Sequence, residues 1–145
     1  MDIYIASSWK NQHAVEMLTD QLEIKGHVVH SFVRHALEKE TRVSLNLDLD
    51  AWIMSDSGKE EFDYDTHGAT QSDLVIYIGP SGTDAWAEVG AAWARKVPII
   101  GLWAKGEPSG IMRRMVCWYY DYRAILDAVD TVFAPSLAHI AGSGK

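Results

Sequence analysis

Three short apolar runs, each followed by a helical pattern, constrain this chain more than any other feature. "DIYIAS" (Asp2–Ser7), "SDLVIYIG" (Ser72–Gly79) and "VPIIGLW" (Val97–Trp103) are rich in β-branched and aromatic residues and end in polar or turn residues. That is the pattern of buried strands. "HVVHSFV" (His27–Val33) reads as a second strand in chain order and "VCWYY" as a fifth. Between them lie helical patterns: "NQHAVEMLTDQLEIKG" with Gly26 just past its end, Ser81–Lys96, a short one at "SGIMRRM", and the closing "YRAILDAVDTVF". Strands alternating with helices predict a parallel sheet covered on both faces. The expected fold is a single-domain α/β Rossmann-like (flavodoxin-like) sandwich with a five-stranded, mainly parallel sheet. At 145 residues the chain is long enough for one sizeable core, with the domain at 1–134 and a flexible tail at 135–145. The segment Arg34–Gly58 is polar and irregular, with a short helix or turn expected in Leu45–Met54. Ser57 is placed to cap a helix running to about Gln71, with Gly68 counting against it.

Charge and motif content exclude several functions. A net charge of -7 argues against a nucleic acid polymer as partner, since backbone affinity rests on clustered Lys and Arg. It leaves room for a single nucleotide in a local site. No apolar run of membrane-spanning length and no signal peptide is present, and the lone Cys117 rules out an internal disulfide, so a cytoplasmic setting is expected. On its apolar strand Cys117 is expected to be a small buried hydrophobe. "GPSGTDAWAEVG" has the wrong spacing for G-x-G-x-x-G, no G-x-S-x-G elbow occurs, and the terminal "GSGK" lies in the tail. The six histidines show no metal spacing, and Asp48 and Asp50 read as a solvated acidic loop. No metal or cofactor is expected.

One carboxylate stands out. Between Ala85 and Ala94 the helix carries a single charge, Glu88, among Ala, Val, Gly and two Trp. A buried carboxylate costs several kcal/mol unless something pairs with it, so Glu88 either faces solvent or sits in a pocket and does chemistry. In open α/β sheets the ligand crevice lies beyond the carboxyl ends of the strands. Three loops should reach it: Ser7–Asn11, the long segment after the second strand, and Gly79–Asp84, the last of which opens the Glu88 helix, whose free N–H groups favour an anion such as phosphate. Ser81 or Thr83 could equally cap that helix. Asp65 leads towards the same strand end. Two carboxylates near an anion site suit glycosidic chemistry, one attacking or stabilising the anomeric carbon and the other managing protons.

Together, "IYIASSW", "FDYDTHGATQSDLVIYI" and "AEVGAAWARKVPIIGL" resemble the nucleoside 2-deoxyribosyltransferase superfamily, which includes nucleoside 5′-monophosphate N-glycosidases. The resemblance spans Asp2 to about Ala134 and implies a small nucleoside or nucleotide as substrate. It implies that Glu88 is the nucleophile and that Asp65 is the second catalytic acid, orienting the nucleophile and protonating the leaving base. It further implies that Ser7, Ser8 and Trp9 hold the sugar and 5′-phosphate, with Ser81 and Gly82 as a second phosphate contact. Two departures are visible. Gly82 stands six residues before Glu88, where the transferase branch has an aspartate, which favours a 5′-phosphorylated substrate. The first loop, "ASSWKN", lacks the hydrolase branch's glycine. No residue decides between water and a second base as acceptor.

The segment between the second and third strands would cover the base, with Trp52 and Phe62 as candidate stacking residues or as core. Two other readings stay open: an NAD glycohydrolase of the TIR-like kind, and a silent nucleotide-binding or sensor domain. Trp86 and Trp93, two turns apart, share one face of the Glu88 helix, and Ala85, Ala91 and Ala92 make its other sides apolar. A helix apolar nearly all round predicts a covering partner, a homodimer or higher homo-oligomer.

Overall fold

The computed structural model describes residues 1–38 and 48–133. The expectations for 45–47 and for the tail 135–145 lie outside the described residues. β1 (Asp2–Ala6) leads through a 3-10 turn at Trp9–Asn11 into α1 (Gln12–Ile24), β2 (Val28–Ser31) and α2 (Phe32–Glu38). α3 (Leu49–Ile53) and α4 (Asp56–Gln71) precede β3 (Leu74–Ile78), α5 (Thr83–Ala94) and β4 (Ile99–Leu102). A 3-10 turn at Ile111–Met115, β5 (Cys117–Tyr119), α6 (Tyr122–Ala128) and a π-helical turn at Val129–Phe133 follow. The five strands form one sheet in the order β2-β1-β3-β4-β5, every pair parallel. This is the flavodoxin-like order. Its direction reverses between β1 and β3, and the carboxyl ends of those two strands are where open α/β sheets place their ligands.

Alternation along the strands separates two cores. Ile3, Ile5, Leu74 and Ile76 pack against Val15, Leu18 and Leu22 of α1 and Ile125 and Leu126 of α6. Tyr4, Ala6, Val75 and Tyr77 point the other way, towards Ala69 of α4 and Ala85, Val89 and Ala92 of α5. Two tyrosines on adjacent strands thus run beneath the helices that carry Asp65 and Glu88.

Local differences from expectation have local causes. β2 stops at Ser31, and Phe32 and Val33 begin α2, because the Ser31 hydroxyl accepts the Arg34 N–H at 3.1 Å and starts a helix there. α4 is capped by Ser55, not Ser57: the Ser55 hydroxyl accepts from the Gly58 N–H. Gly68 does not interrupt α4, since a Cβ there would run into the Tyr4 ring and its absence lets helix and strand approach. At the Leu45–Met54 stretch, the described part forms α3, capped by Asp48 through the Asp50 N–H. Cys117 is exposed rather than buried, because β5 lies at the sheet's edge. Neither Ser81 nor Thr83 caps α5; Gly82 holds the cap position, with no side-chain cap bond. No helix among the described residues is long and apolar enough to cross a membrane.

Candidate active site

The site grows from one strand residue. Tyr4 is fully buried, and α4 approaches it at Gly68. Asp65 lies one turn before Gly68 on the same helical face, and the Tyr4 hydroxyl donates to its Oδ1 at 3.2 Å. The same hydroxyl interacts with Glu88, which α5 brings in from the neighbouring helix. Three groups from β1, α4 and α5 therefore converge. Glu88 Oε2 is buried and has no hydrogen-bond partner among the described residues. Leaving such an acceptor unsatisfied costs about 1–3 kcal/mol in an ordinary core, the kind of cost a fold carries where a ligand is to be met.

Electrostatics divides the roles of the two carboxyls. Burial first, and then the charge of Asp65, push the Glu88 carboxyl up to about 9, against a smaller lowering by the Tyr4 hydroxyl. Burial also raises Asp65, to about 6, while the hydrogen bond from Tyr4 holds it down. Two buried carboxyls this close titrate as a pair. Near neutral pH the pair keeps one proton, on the Glu88 side. Asp84, exposed in the first turn of α5, raises both further. Behind Asp65, His35 is buried, pairs with Glu61 at 3.0 Å and stacks on Tyr64 with centroids 3.8 Å apart. The charge of His35 lowers Asp65 and that of Glu61 raises it.

The two predicted loops meet, but through their own hydrogen bonds. Ser7 Oγ donates to the Ile78 carbonyl at 2.9 Å, and Ser81 Oγ donates to the same carbonyl at 2.7 Å. Asn11 bridges them, its Nδ2 lying 2.8 Å from the Pro80 carbonyl and 3.1 Å from Ser7 Oγ. With their protons directed to the Ile78 carbonyl, Ser7 and Ser81 tie the two loops together. Ser8 Oγ, by contrast, is buried and without a partner among the described residues. Gly82 faces open space. Trp9 is about half exposed and meets Phe32 edge-on, with centroids 5.0 Å apart.

The predicted stacking residues are less central. Phe62 stands one turn before Asp65 on α4 but is 65% exposed. Trp52 lies on α3, partly buried, and no described contact joins it to the carboxyl pair. Sequence reasoning missed Tyr4, Asn11 and Phe32. Only the alternation of β1 could have placed Tyr4 on the Glu88 side of the sheet; no local signal marks the other two. No group of three or more His, Cys, Asp or Glu among the described residues is placed to hold a metal ion.

Solved structures with the same architecture give the comparison. The chain matches a 2-deoxyribosyltransferase from Bacillus psychrosaccharolyticus with a TM-score of 0.62 and 18% identity, covering 86% of this chain and 90% of that one. It matches a CMP N-glycosidase from Clostridium botulinum at 0.57 and 21%, covering 90% and 99%. A conserved protein from Enterococcus faecalis V583 matches at 0.52 and 18%, covering 91% and 76%. Identities this low establish a shared fold, and it is the fold that the resemblance to the nucleoside 2-deoxyribosyltransferase superfamily implies. No protein-family model matches the chain, and neither does any curated protein.

Proposed function

We propose that this chain is a member of the nucleoside 2-deoxyribosyltransferase superfamily and an enzyme of N-glycosidic bonds, acting on a nucleoside or nucleoside 5′-monophosphate with Glu88 as nucleophile. The observation that carries this is the convergence of Asp65 and Glu88 on the Tyr4 hydroxyl, with Glu88 Oε2 buried and unpartnered among the described residues. Likeness of fold to a deoxyribosyltransferase and a CMP N-glycosidase supports it.

In this reading the resting proton sits on Glu88 and must leave before attack. Tyr4 offers the route: its hydroxyl oxygen takes the Glu88 proton as its own proton passes to Asp65. The result is an ionised Glu88 and a protonated Asp65, with Tyr4 unchanged. The Glu88 carboxylate then bonds to the anomeric carbon as the carbon–nitrogen bond breaks. That electron pair leaves with the base, and Asp65 supplies the proton it needs. Water, or a second base, next attacks the anomeric carbon, gives a proton to Asp65 and releases Glu88.

Ser8, Trp9, Gly82 and the uncapped amides at the start of α5 are assigned to the sugar and its 5′ end, where an anion would be favoured. Ser7 and Ser81 hold the two loops around it. Trp52 and Phe62 are left to the base. The chain is proposed to assemble as a homodimer or higher homo-oligomer.

A chromatographic screen of nucleosides, nucleoside 5′-monophosphates and NAD for released base tests the reading. Wild type should release base from one of the first two classes, faster from the monophosphate. Glu88→Gln should be slower by orders of magnitude, because the covalent route is removed. Release of nicotinamide from NAD alone, binding without any release, or near-normal turnover by Glu88→Gln would each overturn it.

A further inference from the structure

Beyond the Asp65–Glu88 pair, a second carboxylate is wholly enclosed: the side chain of Glu107, in the segment after β4, is 0% exposed. A charge so deep is stable only when surrounded by donors. Glu107 has three. The Tyr77 hydroxyl donates to it, lying 2.8 Å from each oxygen. Trp86 Nε1 and Arg113 Nη2 each donate to its Oε1 at 3.2 Å. The donors come from β3, α5 and the Ile111–Met115 turn, so one carboxylate ties three segments together. With its proton directed at Glu107, the Tyr77 hydroxyl accepts a hydrogen bond from the Ser81 N–H at 3.0 Å. The backbone makes room for this hub, since a Cβ at Gly79 would run into the Glu107 carboxylate.

The hub grips α5 from the side opposite its chemistry. Trp86 and Glu88 are two residues apart, about 200° around the helix axis. Trp86 also packs against Tyr77 at 4.8 Å and Trp118 at 6.3 Å, with the Arg113 guanidinium over its ring at 5.9 Å. We propose that Glu107 is a positioning residue for the reaction. Through Tyr77 it fixes Ser81 in the loop that opens α5, and through Trp86 it fixes the rotation of α5 that turns Glu88 towards Tyr4. This rests on Glu88 as nucleophile.

Two variants and two readouts test it. Tyr77→Phe removes only the hydroxyl that joins Glu107 to Ser81, leaving Trp86 and Arg113 on the carboxylate. Glu107→Gln keeps the shape and removes the charge. Amide hydrogen exchange should quicken at least about tenfold at Ser81 and its loop neighbours in Tyr77→Phe, with β1 and β3 as protected as in wild type. In a base-release assay Tyr77→Phe should act mainly on KM. Glu107→Gln should lower kcat by about ten- to a hundredfold, the scale of a misplaced catalytic group. Unchanged exchange at Ser81, exchange that quickens equally throughout the sheet, or wild-type kcat and KM in both variants would overturn the proposal. If wild type releases no base, the proposed function fails on its own, and the exchange result still decides whether Glu107 pins the loop.

Discussion

The Tyr4 hydroxyl has one proton and two carboxyls to serve, and the chemistry of the site depends on how it divides them. Its hydrogen bond lowers both Asp65 and Glu88, so Tyr4→Phe should raise both. The pH–rate profile of Tyr4→Phe should therefore shift to higher pH, with kcat reduced about a hundredfold by loss of the relay. A profile that coincides with wild type would remove Tyr4 from the proton path. Glu88 carries a second prediction, about stability. Its folded pKa, about 9, lies above the ordinary value of 4.5, so between those values the native state holds a proton that the unfolded chain has lost. Stability should then fall as pH rises through that window. Glu88→Gln should remove the Glu88 share of the fall and leave that of Asp65 between 3.8 and about 6, melting several degrees above wild type at pH 8, at roughly 3 °C per kcal/mol for a chain of this length, and equal to it near pH 4. Thermal melts at the two pH values decide it. Glu88 was legible in the sequence as a lone charge on an apolar helix. Asp65 was singled out by its place on the segment leading into β3, and its role as the second acid came from the family resemblance. Tyr4 and Glu107 were hidden, since their partners lie 61 and 30 residues away along the chain.

Elements were legible where a short-range rule governs them. Past the exposed Asp2, the runs in β1, β3 and β4 are strands because nothing in them is polar enough to face water, and Gly26 ends α1 in a left-handed turn at φ +92°. The errors fall where two rules compete. Ser55 and Ser57 both suit a cap, and only the Gly58 N–H shows which one serves. At Gly68 helix propensity opposed the helix, yet tertiary packing wanted the missing Cβ. This gives α4 two tests. Ser55→Ala should cost about 1 kcal/mol with little effect on chemistry, as a lost cap does. Gly68→Ala gains propensity but must displace the Tyr4 ring, so it should destabilise by about 1–3 kcal/mol and lower kcat as well. Denaturant unfolding together with base-release kinetics separates the two. A Gly68→Ala protein as stable and active as wild type would show that the ring has slack the packing does not suggest.

At the scale of the whole molecule, the candidate site is separate from an exposed groove where β4 and β5 begin. From the sequence, Trp86 and Trp93 looked like one open stripe on α5. In the fold Trp86 is taken up by Tyr77, Trp118 and Glu107, which leaves Trp93 57% exposed. Trp93 borders a groove formed with Val97, Pro98, Ile99, Met115 and the exposed Cys117, and lined as well by Lys96 and Arg114, where β4 and β5 begin. The crevice lies at the opposite, carboxyl end of the sheet. Along the α5 axis Trp93 is about 8 Å beyond Glu88, at 1.5 Å per residue. An exposed indole beside a groove with an apolar floor and two cations suits a two-fold contact in which each Trp93 enters the partner's groove, where a guanidinium or ammonium can lie against the indole. Wild type should therefore run as a dimer in light scattering at micromolar concentration. Trp93→Glu should run as a monomer, because the substitution places a carboxylate in an apolar contact. Since the groove is remote from Tyr4, Asp65 and Glu88, that monomer should keep the kcat of the dimer. A wild-type monomer would rule out the assembly. A Trp93→Glu monomer without activity would instead mean that the crevice is completed by the second copy, with the partner reaching the carboxyl end of the sheet.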